Sequence, residues 1–214
     1  MGWLHSIHKR HVAALFAAAT LTVGLAGCST NRATGEDSFT AFMSPDEERK
    51  IGAQEHPKMV KEFGGKYDEK DLPAYVTKIG EKLVAVSETP DEKFTFTVLD
   101  SPVINAFALP GGYVYITRGL TALASNEAEL AGVLAHEIGH VVARHSAQRY
   151  SRGMITQILA GGLSVAIGNG AGEIIGTGAN AYLKSFSREH ELEADMLGVR
   201  YITRAGYDPD AMAT

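Results

Sequence analysis

His136-Glu137-Ile138-Gly139-His140 is the stretch on which the reading of this chain turns. On a helix, imidazoles at i and i+4 lie about 40° apart around the axis and one turn apart along it, so both reach one tetrahedral zinc ion. Glu137 takes the next position around the helix, where a carboxylate can act on the metal's water without occupying a ligand site. The alternative is a pair of ordinary core or surface histidines. Against it, these polar groups interrupt an apolar stripe of Val133, Leu134 and Val141, and an unsatisfied buried imidazole costs a few kcal/mol. Asn126 caps the helix, which is expected to run from Glu127 to about Tyr150, with Ala128, Leu130, Ala131, Val133, Leu134 and Ile138 on its core side.

A zinc site needs a third protein ligand, and spacing narrows the search. His145 follows His140 by five residues, about 140° around the helix, and is expected to point elsewhere. A metzincin arrangement would need glycine and histidine where the chain has Ala143 and Ser146, so the ligand must come from another helix. The helix expected from about Ala181 to Arg204 offers one. Glu189, Glu193, Arg200 and Arg204 share an arc that reads as a solvated charged face. Glu191, Asp195, Gly198 and Ile202 form a second line beside Leu192 and Val199, a side that reads as buried. Buried carboxylates need partners: Glu191 as ligand, with Asp195 accepting a hydrogen bond from a ligand imidazole, satisfies both.

Upstream, Ser44-Pro45-Asp46-Glu47 starts a helix with a capping box and proline at its first position, running to about Phe63 across Pro57. A second helix is expected over Asp71 to Ser87. Alternation at Phe94, Phe96 and Val98, then Val103 to Leu109 and Tyr113 to Thr117 around Pro110-Gly111-Gly112, predicts a small antiparallel sheet. The fold class is therefore α+β, mainly helical. Gly161 to Gly178 is apolar but glycine-rich and reads as a helical hairpin or loop rather than a membrane insert.

The N-terminus is read apart from the domain. Lys9, Arg10 and His11 precede the apolar run Val12 to Gly27, which is too short to span a bilayer and fits a signal-peptide core. It ends Leu25-Ala26-Gly27-Cys28, small residues before the chain's one cysteine, which resembles a bacterial lipobox. That predicts a lipoprotein signal peptide over 1–27, acylation of Cys28, a polar tether over 28–43 and a single domain over 44–214. Ser29 follows the cysteine where proteins retained at the inner membrane often carry aspartate, which favours the periplasmic face of the outer membrane. Loss of Lys9 and Arg10 takes the formal charge from -5 to -7, which disfavours nucleic acid as a partner.

Asn105-Ala106-Phe107-Ala108-Leu109-Pro110-Gly111-Gly112, then the HEIGH motif, then Ser187-Arg188 with Glu191-x-Glu193-Ala194-Asp195, resembles the HtpX-like and CAAX-prenyl-endopeptidase-type zinc metallopeptidases, which are gluzincins. The lipobox narrows the resemblance to their periplasmic lipoprotein branch, that of the beta-barrel assembly-enhancing protease. It covers about Ser44 to Asp210. It implies a zincin-like fold, one zinc held by His136, His140 and Glu191, Glu137 as catalytic base and Asp195 behind the ligands. It also implies a substrate-binding edge strand of Asn105, Ala106, Phe107 and Ala108. The expected activity is cleavage of unfolded or misassembled outer-membrane proteins, with the outer-membrane assembly machinery as an expected partner. A chaperone-like lipoprotein with a latent zinc site is the alternative, and the oxyanion donor stays open among Arg188, Tyr182 and a residue beyond Thr214. Family members usually continue past this point, so the sequence reads as a candidate fragment.

Overall fold

The computed structural model describes residues 28–161 and 186–212. Residues 1–27, read as a signal peptide, the glycine-rich segment after Gly161 and the expected helix start at Ala181 lie outside those residues.

The described chain is α+β and mainly helical. Two short strands, β1 (Cys28–Thr30) and β2 (Asp37–Phe39), precede helices α1 (Pro45–Glu62) and α2 (Asp71–Val84). Strands β3 (Thr95–Leu99), β4 (Ala106–Leu109) and β5 (Tyr113–Thr117) follow, then helices α3 (Arg118–Leu123), α4 (Glu127–Val142), α5 (His145–Gly161) and α6 (Arg188–Arg204), and a 3-10 turn at Pro209–Met212. The starts follow local chemistry. Ser44 and Glu47 close the capping box of α1, and the Asn126 side chain accepts from the Glu129 N–H at the head of α4.

The three-stranded sheet corrects the expected antiparallel one, because its order is β3-β5-β4 with β5 antiparallel to β4 and parallel to β3. After β3 the chain crosses to the far position, forms β4 and returns through Gly111 and Gly112 between its two partners. Both glycines have positive φ, 79° and 89°, a conformation that a side chain would strain. Strand alternation alone does not encode which partner the returning strand chooses. β4 is left at the sheet edge, beside α4.

The core joins α2, the sheet, α4 and α6: Ile79, Leu83, Val114, Ile116, Leu134, Ile138, Leu197 and Tyr201 are all buried. The α4–α6 contact is tight. A Cβ on Gly139 would meet the Ala194 carbonyl oxygen at 3.1 Å and its Cα at 3.3 Å, so the glycine inside the motif allows the second helix to approach.

Three further expectations change. First, the helix carrying the motif does not continue to Tyr150: Arg144 adopts a left-handed φ of 57°, and α5 begins at His145. Second, Ser187 caps α6 by accepting from the His190 N–H, so that helix starts there rather than passing through from Ala181. Third, the stretch read as a polar tether is a hairpin docked on the domain. Arg200 donates to the Ala33 carbonyl at 2.8 Å, the Phe42 N–H donates to Ser151 Oγ at 3.2 Å and Arg144 donates to the Met43 carbonyl at 2.7 Å.

Candidate metal centre

α4 and α6 bring three ligand atoms to one point. His136 and His140 Nε2 stand 3.0 Å apart, and Glu191 Oε2 lies 3.4 Å from the first and 3.7 Å from the second. A tetrahedral zinc ion with metal–ligand bonds of 2.0–2.1 Å separates its ligands by about 3.3–3.4 Å, so the spacing fits a metal of that size.

The surrounding hydrogen bonds dictate what these atoms are. His136 Nδ1 is 2.9 Å from Asp195 Oδ1, and a carboxylate only accepts, so Nδ1 carries a proton and Nε2 is the nitrogen left to face the cluster. His140 Nδ1 is 2.8 Å from His145 Nδ1, whose Nε2 in turn lies 3.1 Å from the Glu193 carboxylate. Glu191 Oε1 accepts from the Phe186 N–H at 3.2 Å, leaving Oε2 to face the histidines. Three potential ligand atoms thus converge, an arrangement that a cation among them would stabilise. Burial, followed by the neighbouring imidazoles, holds His140 far below the usual histidine range, so its ring is neutral.

Glu137 is buried beside this point. Desolvation pushes its carboxyl up to about 7, with His136 pulling it down and Glu191 pushing it further up. A carboxylate poised there accepts and returns a proton near neutral pH. Next to His136 opens an apolar hollow lined by Ile104, Leu120, Leu123, Val133 and Met212.

Residues 71–214, which include every one of these groups, match Peptidase family M48. The chain belongs to that family. M48 proteins are zinc metallopeptidases. This M48 chain is 32% identical over 177 residues to the mitochondrial metalloendopeptidase OMA1 of Schizosaccharomyces pombe, across 80% of its own length and 52% of that protein's. It is 34% identical over 153 residues to the beta-barrel assembly-enhancing protease of Escherichia coli, across 67% and 31%. Against the putative beta-barrel assembly-enhancing protease of Vibrio cholerae the identity is 39% over 152 residues, across 66% and 31%. The chain therefore spans about half or less of the length of these curated relatives. Among the described residues, no helix is long and apolar enough to cross a membrane.

Within the M48 chain, His136, His140, Glu191 and Asp195 come together, with Glu137 buried beside them, and Asn105 to Leu109 runs along the sheet edge next to α4. Other expectations fail. His145 does not point away: the break at Arg144 turns its ring, fully buried, against His140. Glu193 is not on a solvated face, since its Oε2 lies 3.1 Å from His145 Nε2 and its Oε1 accepts from Asn31 Nδ2 at 2.6 Å. Conversely, the side of α6 that reads as buried is partly open, with Leu192 57% and Val199 38% exposed and the Asp195 side chain 56% exposed. His190, stacked on His145 with ring centroids 4.3 Å apart, carried no signal in the sequence.

Proposed function

We propose that this chain is a zinc endopeptidase of the cell envelope, anchored by lipid at Cys28 and acting on unfolded polypeptide, including outer-membrane proteins. The observation that carries the reading is the convergence of His136, His140 and Glu191 beside a buried Glu137. His136, His140 and Glu191 would hold one zinc ion, which when bound would make a water more acidic and polarise a substrate carbonyl. Glu137 takes the proton from the attacking water and delivers it to the leaving amine. Asp195 keeps His136 in the Nδ1–H tautomer, so that its Nε2 is free to bind.

Substrate alignment rests on β4. The Thr117 N–H bonds the Asn105 carbonyl at 3.0 Å, and antiparallel pairs alternate, so Phe107 and Leu109 spend their backbone groups on β5 while Ala106 and Ala108 turn theirs outward. An added strand is held by main-chain hydrogen bonds that any extended peptide offers, and the apolar hollow beside His136 suits an apolar side chain. Lipid anchoring at the periplasmic face of the outer membrane is supported by the lipobox and by the similarity to the beta-barrel assembly-enhancing proteases, whose named role also suggests the outer-membrane assembly machinery as a partner.

The test is cleavage of one outer-membrane protein, folded and unfolded, by the wild type, Glu137→Gln and Ala108→Pro. The expected result is cleavage of the unfolded form alone, none by Glu137→Gln, and a raised KM for Ala108→Pro, which loses an outward donor. Binding without cleavage by the wild type would move the reading to a chaperone-like protein. Cys28→Ala should remove the protein from the membrane fraction.

A further inference from the structure

We propose that His145 and Glu193 are positioning residues that hold His140 in its metal-binding orientation, and that Asn31 of the N-terminal hairpin secures the far end of this chain of hydrogen bonds. The inference rests on the zinc reading above.

Direction follows from the donors available. Because His140 Nε2 faces His136 and Glu191, its Nδ1 carries the proton and donates to His145 Nδ1 at 2.8 Å. His145 then carries its own proton on Nε2 and donates to Glu193 Oε2 at 3.1 Å. Glu193 Oε1 accepts from Asn31 Nδ2 at 2.6 Å, and the Asn31 amide is itself oriented because its oxygen accepts from the Ala33 N–H at 2.9 Å. The donors converge on the Glu193 carboxylate from both ends, so the tautomer of His140 is set by residues from three separate elements: the start of α5, the middle of α6 and the β1–β2 hairpin. Asp195 does the same for His136 in a single exposed step, whereas the His140 route is buried at His145 and needs the hairpin in place. Partners of this kind are typically worth 10–100-fold in metal affinity.

The experiment uses the full chain, measuring zinc affinity by chelator competition and the visible spectrum of the Co(II) form. His145→Phe preserves a ring against His190 but removes the acceptor, and should weaken zinc binding about 10–100-fold and shift the Co(II) bands. His145→Asn offers a carbonyl oxygen near the Nδ1 position and should recover most of that loss. Glu193→Ala and Asn31→Ala should weaken binding progressively less. Wild-type affinity and spectrum in His145→Phe, or an Asn variant as weak as the Phe variant, overturn the positioning role. Should His145→Phe fail to fold, Glu193→Ala reads the same link from a half-buried site, and an unchanged affinity there also overturns it. A wild-type chain that takes up no zinc refutes the metal reading itself, and this inference with it.

Discussion

The two halves of α6 each carry a polar cluster, but they are built on opposite accounts of donors and acceptors. At the C-terminal half, Arg200, Tyr201 and Arg204 gather on one carboxylate. Glu88 Oε1 accepts from Arg200 at 3.2 Å and from Arg204 at 2.9 Å, and Oε2 accepts from the Tyr201 hydroxyl at 2.6 Å. Every donor finds an acceptor and the one carboxylate is met by positive charge, and the cluster fastens α6 to the loop after α2. At the N-terminal half, Glu191 meets two imidazole nitrogens, one of them on the neutral ring of His140. Among the described residues, no Arg or Lys joins that arrangement as it does around Glu88, and a metal is what would complete it. A complete cluster holds the fold together; an incomplete one, kept rigid by partners behind it, is a place for chemistry.

The comparison can be broken at several levels. Largest is Glu137→Gln: peptide cleavage should fall by about 10²–10⁴, while zinc content and melting temperature stay at wild-type values, and an equally active variant would place the proton transfer elsewhere. Next, Glu191→Ala should lose most of its zinc and, with it, a stabilisation of about 2.7 kcal/mol at a metal concentration of 100 times Kd. Measured without metal, it should be no less stable than the wild type, because one of three converging ligand atoms is gone. Glu88→Ala should behave in the opposite way, destabilising by about 1–3 kcal/mol with or without metal, because the buried Tyr201 hydroxyl loses its partner. Denaturant titrations of both variants in chelator and in zinc would show whether the halves differ as described.

The smallest effect is in pH. Burial pushes Glu88 up, but hydrogen bonds from Tyr201, Arg204 and Arg200 together outweigh it and hold the carboxyl below the usual glutamate range. A lowered folded pKa means the unfolded chain binds more protons in the acid window. The contribution is therefore whole above the unfolded glutamate pKa and is lost as pH falls through the folded one. Glu88→Gln should flatten that part of the stability–pH curve, and an unchanged slope would remove Glu88 from the balanced cluster.

What the sequence disclosed and what it hid divide along the range of the interactions. The HEIGH spacing, the Asn126 cap, the Ser44–Glu47 capping box and the Gly111-Gly112 turn are decided within a few residues, and each forms where it reads. The helix break at Arg144 is different. Helices usually stop at glycine or asparagine, and an arginine takes the left-handed conformation here with its side chain held by Glu48 Oε2 at 2.7 Å and by the Met43 carbonyl. Those partners lie about a hundred residues upstream, so no local signal marks the break. Everything that depends on it was hidden as well: His145 beside His140, and Glu193 turned inward to meet it. The parallel pairing of β3 with β5 and the docking of residues 28–42 were hidden for the same reason, since both are choices of distant partners.

The docked hairpin also settles a matter of reach. Fifteen free residues after an acylated Cys28 would let the domain range up to about 50 Å from its anchor. Here Cys28 already stands in register with Phe39, and the strands that follow are fastened to α5 and α6, so residues 28–43 supply no free tether. Were Cys28 to carry a lipid, the domain would be held close to the bilayer rather than ranging out from it. In that case the distance at which a client could be cut would be set by the client, whose emerging segment would have to be long enough to arrive.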